Sequence, residues 1–266
     1  MSFYKTDEPF FKGGTSMAEH ILYTRKSVFS KPAAPAQAPR PDAVRPVFRL
    51  KDPGSAVTHF IGLVLAVLAT PPLLIHAAGR GAGVLQLASL SVFMLSMAAL
   101  YAASTAYHSF NLANGRNRIL KKLDHMMIFV LIAGTYTPIC TIVLQGRTGY
   151  LLCALVWGIA ILGIILKCCW INCPKWFSSL LYIAMGWTCV LAFTQIINSL
   201  PHTAFLWLLA GGIIYTAGGV IYALKLPIFN AKHRWFGSHE IFHLFVMGGS
   251  VCHFVVMYCF VAPMPL

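Results

Sequence analysis

His239 and His243 stand four residues apart in the stretch Gly237-Ser238-His239-Glu240-Ile241-Phe242-His243. On a helix that spacing puts both imidazoles on one face, one turn apart. Two ring nitrogens can then reach a single divalent cation at about 2.0–2.1 Å, the length of a zinc–imidazole bond. The pair by itself leaves a second reading open, in which each ring only hydrogen-bonds a neighbouring helix. Three further residues carry suitable chemistry. His108 offers a third imidazole, Asp124 a carboxylate, and Ser104 a hydroxyl one helical turn before His108. Three neutral imidazoles with one open position are the usual donor set of a catalytic zinc site, although iron and cobalt accept the same donors.

These groups can meet only if the elements carrying them bring them to one place, and composition says what those elements are. Of the 266 residues, 58% are hydrophobic and 10% charged. Soluble domains carry about 25% charged residues, so this chain is built for lipid. The net charge of +13 does not indicate a nucleic-acid partner, because the cations punctuate apolar runs instead of clustering on one face. Seven runs approach the ~20 residues needed to cross the hydrocarbon core: Ala56–Ala78, Val84–His108, Leu123–Leu144, Tyr150–Cys169, Phe177–Asn198, Ala204–Leu224 and His239–Ala262. Lipid satisfies no backbone amide, so each run must be helical, and none shows the alternation of a β-barrel strand. The fold class expected is all-α, a seven-transmembrane helix bundle in the plasma or inner membrane. Eighteen of the twenty Lys and Arg fall on one side of it and only Arg80 and Arg147 on the other. The positive-inside rule puts the N-terminus in the cytoplasm and the C-terminus outside. His108 then ends the second span, Asp124 begins the third and His239 and His243 begin the seventh. All four share one depth near the cytoplasmic face.

Residues 1–50 read as a basic, Pro/Ala-rich, disordered cytosolic tail ahead of a membrane domain over 51–266. Met1 to Phe11 shows no apolar segment of the kind a cleaved signal peptide carries. A solvated linker describes this tail better than a headgroup-binding arm. The eight cysteines predict no disulfide framework. Five lie inside the spans as small apolar side chains. Cys168, Cys169 and Cys173 border a loop on the reducing side, and their spacing matches no zinc motif.

Taken together, these motifs resemble the haemolysin III family, part of the progestin and adipoQ receptor superfamily that includes the adiponectin receptors. Ser104-Thr105-Ala106-Tyr107-His108 resembles its Ser-x-x-x-His motif. Leu123-Asp124-His125 through Thr137-Pro138 resembles its third-helix motif, and Gly237 to His243, continued by Ser250 to His253, its final-helix motif. The likeness spans roughly residues 50–262. Where the family shows Glu, Asn and His before the first span, this chain has Asp52, Ser55 and His59, a departure that bears on how the first helix is anchored. The resemblance implies zinc held by His108, His239 and His243. It also implies that Asp124 holds or deprotonates a zinc-bound water and that Ser104 orients it. A metal lowers the pKa of such water to near 7, and a carboxylate one hydrogen bond away can act as general base. The implied substrate is an amide or ester carbonyl of a membrane lipid. No soluble protein partner is implied.

Other polar residues have structural readings. His125 and Glu240 point about 100° away from their functional neighbours, which suits an interfacial role for the first and a helix-start role for the second. His59 and His253 are expected as satisfied inter-helix hydrogen bonders, the latter about 15 Å from His243 along its helix. Asp52 is expected to cap the first helix. Pro138 is expected to kink the third, with threonines covering the freed carbonyls. The Gly211-Gly212 and Gly218-Gly219 pairs are expected to permit close packing. Three functions fit this pattern: a zinc-dependent lipid hydrolase, a receptor or sensor with a structural zinc, and a membrane-permeabilising protein. The last needs a water-soluble state that seven apolar spans oppose.

Overall fold

The structure is a computed structural model and describes residues 50–224 and 236–265. The N-terminal tail through residue 49, and Lys225, Lys232 and Arg234 of the cation count, lie outside the described residues. Among those described, the structure is helical throughout, with seven helices long and apolar enough to cross a membrane. They are α1 (Pro53–Gly79), α2 (Val84–Ser109), α3 (Asn114–Pro138), α4 (Gly146–Cys169), α5 (Lys175–Ser199), α6 (His202–Leu224) and α7 (Ser238–Val256).

The outer helices turn aliphatic residues outward. On α1, Val57, Phe60, Ile61, Val64, Leu65 and Leu68 are exposed, as lipid-facing positions are. The central element is α3: 72% of its apolar stretch is buried, against 17–50% for the other six. Its N-terminal start extends the span read from the sequence, which opened at Leu123. The helix already begins at Asn114. Arginine and lysine are good helix formers, and a hydropathy criterion cannot see helical turns that lie beyond the apolar stretch.

Regular geometry gives way in three helices. Pro138 cannot donate a backbone hydrogen bond, and α3 widens directly after it into the π-helical turn Ile139–Leu144. There Thr137 Oγ1 donates to Ala133 O (2.9 Å) and Thr141 Oγ1 to Thr137 O (2.9 Å). α5 narrows to 3₁₀ geometry over Trp187–Ala192. Tyr136 OH bridges that break, donating to Gly186 O (2.5 Å) and accepting from Cys189 N (2.8 Å). α7 ends in a second π turn, Met257–Val261. The Gln86 amide covers its orphan carbonyls, donating to Val261, Ala262 and Met264 at 3.1–3.2 Å.

Close approach of α2 and α3 depends on one glycine. A Cβ on Gly134 would run into the Ser96 side chain and sit 3.2 Å from Val92 O. This packing holds His108 and Asp124, on adjacent helices, in a common frame. Of the two glycine pairs on α6, Gly211, Gly218 and Gly219 each face a neighbouring helix, whereas Gly212 meets nothing within 4 Å. Gly134→Ala should destabilise the purified protein by about 1–3 kcal/mol, the usual cost of overpacking. Adding Ser96→Gly should recover part of that loss, as read by thermal unfolding in detergent.

Candidate metal centre

Three of the sequence-selected residues converge. His108 at the end of α2, and His239 and His243 in the first two turns of α7, each offer a ring nitrogen within 4.8 Å of the other two. His108 and His243 are 3% and 2% exposed. The Nε2 atoms of His108 and His239 lie 3.3 Å apart. Two nitrogens bound to one tetrahedral ion at about 2.0–2.1 Å stand roughly 3.3–3.4 Å apart.

The tautomers follow from the partners of the remaining nitrogens. His108 Nδ1 lies 2.9 Å from Asp52 Oδ2. A carboxylate only accepts, so Nδ1 carries the hydrogen and Nε2 a bare lone pair. His243 Nδ1 lies 3.2 Å from Thr58 Oγ1. That hydroxyl already gives its one hydrogen to the Gly54 and Ser55 carbonyls, both at 3.0 Å. It can therefore only accept from His243, which again leaves Nε2 bare. His59 lies flat against His243, with ring centroids 3.6 Å apart and planes 9° from parallel, and so fixes the ring's tilt.

α1 thus holds two of the three imidazoles, and this corrects two expectations. Asp52 makes no side-chain cap on α1. Pro53 begins the helix without an amide hydrogen, and the carboxylate turns to His108 instead. His59 is no hydrogen bonder among the described residues, where both its nitrogens are buried and unpartnered. His253 likewise leaves Nδ1 unpartnered and stacks on Tyr215 at 5.2 Å. The start of α1 is pinned by backbone bonds from Asp52 N to His108 O (2.9 Å) and Lys51 N to Ser109 O (3.3 Å). Lys51 Nζ reaches Tyr107 O (3.2 Å). Burial lowers the Lys51 ammonium below the usual lysine range, although Asp52 beside it pulls the other way.

Asp124 and Ser104 do not join the hydrogen-bonded frame. Asp124 Oδ2 lies 3.5 Å from His125 Nδ1, and Ser104 Oγ has no hydrogen-bond partner among the described residues. Both line a cavity of about 210 Å³ with His239 and His243. His125 bonds to the Lys121 carbonyl (2.8 Å) and to Tyr222 OH (3.4 Å). The Glu240 carboxylate accepts from Gly237 N (2.8 Å), closing the first turn of α7, and from Ser55 Oγ (2.6 Å). Beyond this polar end the cavity is walled by apolar side chains of α3, α5, α6 and α7, including Ile132, Phe193, Leu208 and Val246. On α3 alone it runs from Asp124 to Ile139, fifteen residues or roughly 22 Å.

The donor set fits a divalent ion. Two bare lone pairs are fixed by hydrogen bonds, a third nitrogen completes the cluster, and the buried Ser104 hydroxyl, one turn before His108, has no partner among the described residues. The sequence contained a signal for the frame it missed. Asp52, Ser55 and His59 fall at i, i+3 and i+7, one helical face, and Thr58 adjoins it.

Comparison with known proteins identifies the family. A family model described as Haemolysin-III related matches residues 49–254. Hemolysin-3 of Bacillus cereus is 38% identical over 209 residues, 79% of this chain and 91% of the relative. The Hemolysin-3 homolog of Bacillus subtilis (strain 168) is 36% identical over 220 residues, 82% of this chain and 99% of the relative. A shorter match links the chain to the ADIPOR-like receptor IZH2 of Saccharomyces cerevisiae. It is 33% identical over 79 residues, 29% of this chain and 24% of that protein.

Removing the carboxylate behind a metal-binding imidazole typically lowers affinity 10–100-fold. Asp52→Ala should weaken zinc binding by that factor in a competition titration against a chromogenic chelator. Asp52→Glu should retain most of the affinity.

Proposed function

This chain belongs to the haemolysin III family, within the progestin and adipoQ receptor superfamily, and from that premise we propose that it is a zinc-dependent hydrolase of a lipid amide or ester. The observation that carries the reading is the union of two features in one cavity. At one end lie two of the three clustered imidazoles, a carboxylate and an unpartnered hydroxyl. The remainder is an apolar channel. A single leaflet's hydrocarbon is about half of the ~30 Å core, and the cavity lining covers a longer stretch of α3 than that, so an acyl chain could lie along it. A carbonyl joined to such a chain would rest against the polar end.

Zinc on His108, His239 and His243 would polarise that carbonyl and acidify a water. The chain's own residues would then do the remaining work. Asp52 and Thr58 keep the Nδ1 hydrogens of His108 and His243 in place, so both rings present lone pairs to the ion. Asp124, on the cavity wall and free of any cation of Lys or Arg among the described ion pairs, would take the proton from the attacking water. It would return that proton to the leaving amine or alkoxide. Ser104 would hydrogen-bond the reacting oxygen, which supplies the partner its hydroxyl lacks. The apolar walls exclude bulk water and strengthen each of these electrostatic contacts. We place this end at the cytoplasmic face of the plasma membrane, on the cation asymmetry of the loops.

Metal analysis of the wild type beside His239→Ala should show about one zinc per chain falling to a small fraction of that. The purified protein should cleave an amide- or ester-linked lipid and lose this activity with a chelator. Asp124→Asn should keep the metal while losing activity by 10²-fold or more, the scale of general-base catalysis. If chelation lowers the unfolding temperature while no amide or ester lipid is ever turned over, the metal is structural and a sensor role replaces this one. Liposome leakage that survives His108→Ala and Asp124→Ala would instead support a permeabilising role.

A further inference from the structure

Away from the histidines, the connection between α4 and α5 holds a second reactive cluster. The Lys167 side chain is completely buried, yet its ammonium forms no ion pair with any described carboxylate. Its partners are Cys173 Sγ at 3.0 Å and Ser178 Oγ at 2.5 Å. Cys173 Sγ and Ser178 Oγ are themselves 3.2 Å apart. A buried, unpaired cation costs several kcal/mol, and the one acidic group in contact with this one is a thiol. Ionising the thiol converts an isolated cation into a close ion pair with Ser178 as a shared hydrogen-bonding partner.

We propose that Cys173 is a standing thiolate, the counter-ion of Lys167, and a site of covalent modification by peroxide and other soft electrophiles. Cys173 itself is buried, at 8% exposed, but it lies outside the spans between exposed Asn172 and Pro174, so a small electrophile has only a short path to it. Burial alone would raise its thiol, but hydrogen bonds from Ser178 and Lys167 outweigh that and hold it below the ordinary thiol range. The other titratable groups near the pair are Tyr182 of α5, whose ring lies 5.9 Å from the Lys167 ammonium, Tyr222 of α6, Asp124 and His125 of α3, and three cations: Lys121, which reaches Asn172 Oδ1 (3.3 Å), Lys122, which reaches the Cys168 carbonyl, and Lys175, 4.5 Å from the Tyr222 ring. Asp124 is the carboxylate among them, and it lies against His125, not Lys167.

With hydrogen peroxide the step balances within the pair. The thiolate sulfur attacks one peroxide oxygen, forming an S–O bond and breaking the O–O bond. Sulfur is oxidised by two electrons and the peroxide is reduced. The departing hydroxide takes a proton from the Lys167 ammonium and leaves as water. A sulfenic acid and a neutral amine remain, so a buried ion pair becomes a buried neutral pair.

The test uses the full chain purified in detergent. Limiting iodoacetamide at pH 6 and at pH 8.5 is followed by peptide mass spectrometry, with exposed Cys168 and Cys169 on the same segment as internal references. Cys173 alkylation should fall at least tenfold less than theirs on acidification. Lys167→Met should restore a reference-like fall, Lys167→Arg should not, and zinc content of each variant reports an intact bundle. Dilute peroxide followed by dimedone should tag Cys173 ahead of Cys168 and Cys169. A Cys173 that follows the references in the wild type, that stays unlabelled in the folded protein, or that keeps its acid reactivity in Lys167→Met overturns the proposal. If Lys167→Met does not fold, the wild-type comparison and the dimedone tag decide alone.

Discussion

A neutral imidazole has one lone pair to offer, and the centre of this molecule rests on which nitrogen offers it. Left alone in an apolar bundle, each ring would exchange freely between tautomers, and a three-histidine cluster would be poorly poised for any ion. Here the choice is made from outside the cluster. Asp52 takes the Nδ1 hydrogen of His108 at 2.9 Å and Thr58 that of His243 at 3.2 Å. Both belong to the start of α1, which contributes no ligand. The first helix therefore works as a template for the second and the seventh, and its own position is fixed by backbone bonds to the end of α2.

That arrangement requires helix ends to meet accurately, which shapes the rest of the bundle. α2 and α3 come close through Gly134 against Ser96, and α6 and α7 through Gly218 against Phe245. In lipid no hydrophobic drive holds helices together, so such small-residue contacts and inter-helix hydrogen bonds must do it. Tyr136 illustrates the second device. Its hydroxyl satisfies both an acceptor and a donor in the broken turn of α5, an irregularity that bare lipid would not tolerate. The same broken turn lines the cavity through Trp187 and Val190. The departure from helical geometry therefore falls where the bundle has to open for a ligand.

The cluster itself was legible in the sequence because two short-range rules suffice for it. The i, i+4 spacing fixes His239 and His243 on one face, and alternation of the spans brings His108 to their end. The seven helices were legible for a similar reason, as length and hydropathy are local properties. What could not be read depends on rotation and crossing of helices distant in the chain. Asp52 looked like a cap because capping is the local use of an aspartate before a helix, and only the approach of α2 redirects it. His59 and His253 looked like hydrogen bonders because buried imidazoles usually are. Their stacking on His243 and Tyr215 depends on side chains 184 and 38 positions away in the sequence. Lys167 and Cys173 lie six residues apart, yet the helix end at Cys169 had to reverse the chain before ammonium and thiol could meet.

Charge explains why an ion would stay in such a place. Three neutral imidazoles leave a divalent ion with its full charge, which an apolar bundle penalises heavily unless anions stand close. Among the described residues there are three carboxylates. Glu240 is engaged by Ser55 and the α7 backbone, so its charge is tied to a helix start. Asp52 touches the back of His108, and Asp124 lines the cavity beside His239 and His243. Two negative charges therefore flank the cluster, the number that neutralises a divalent ion.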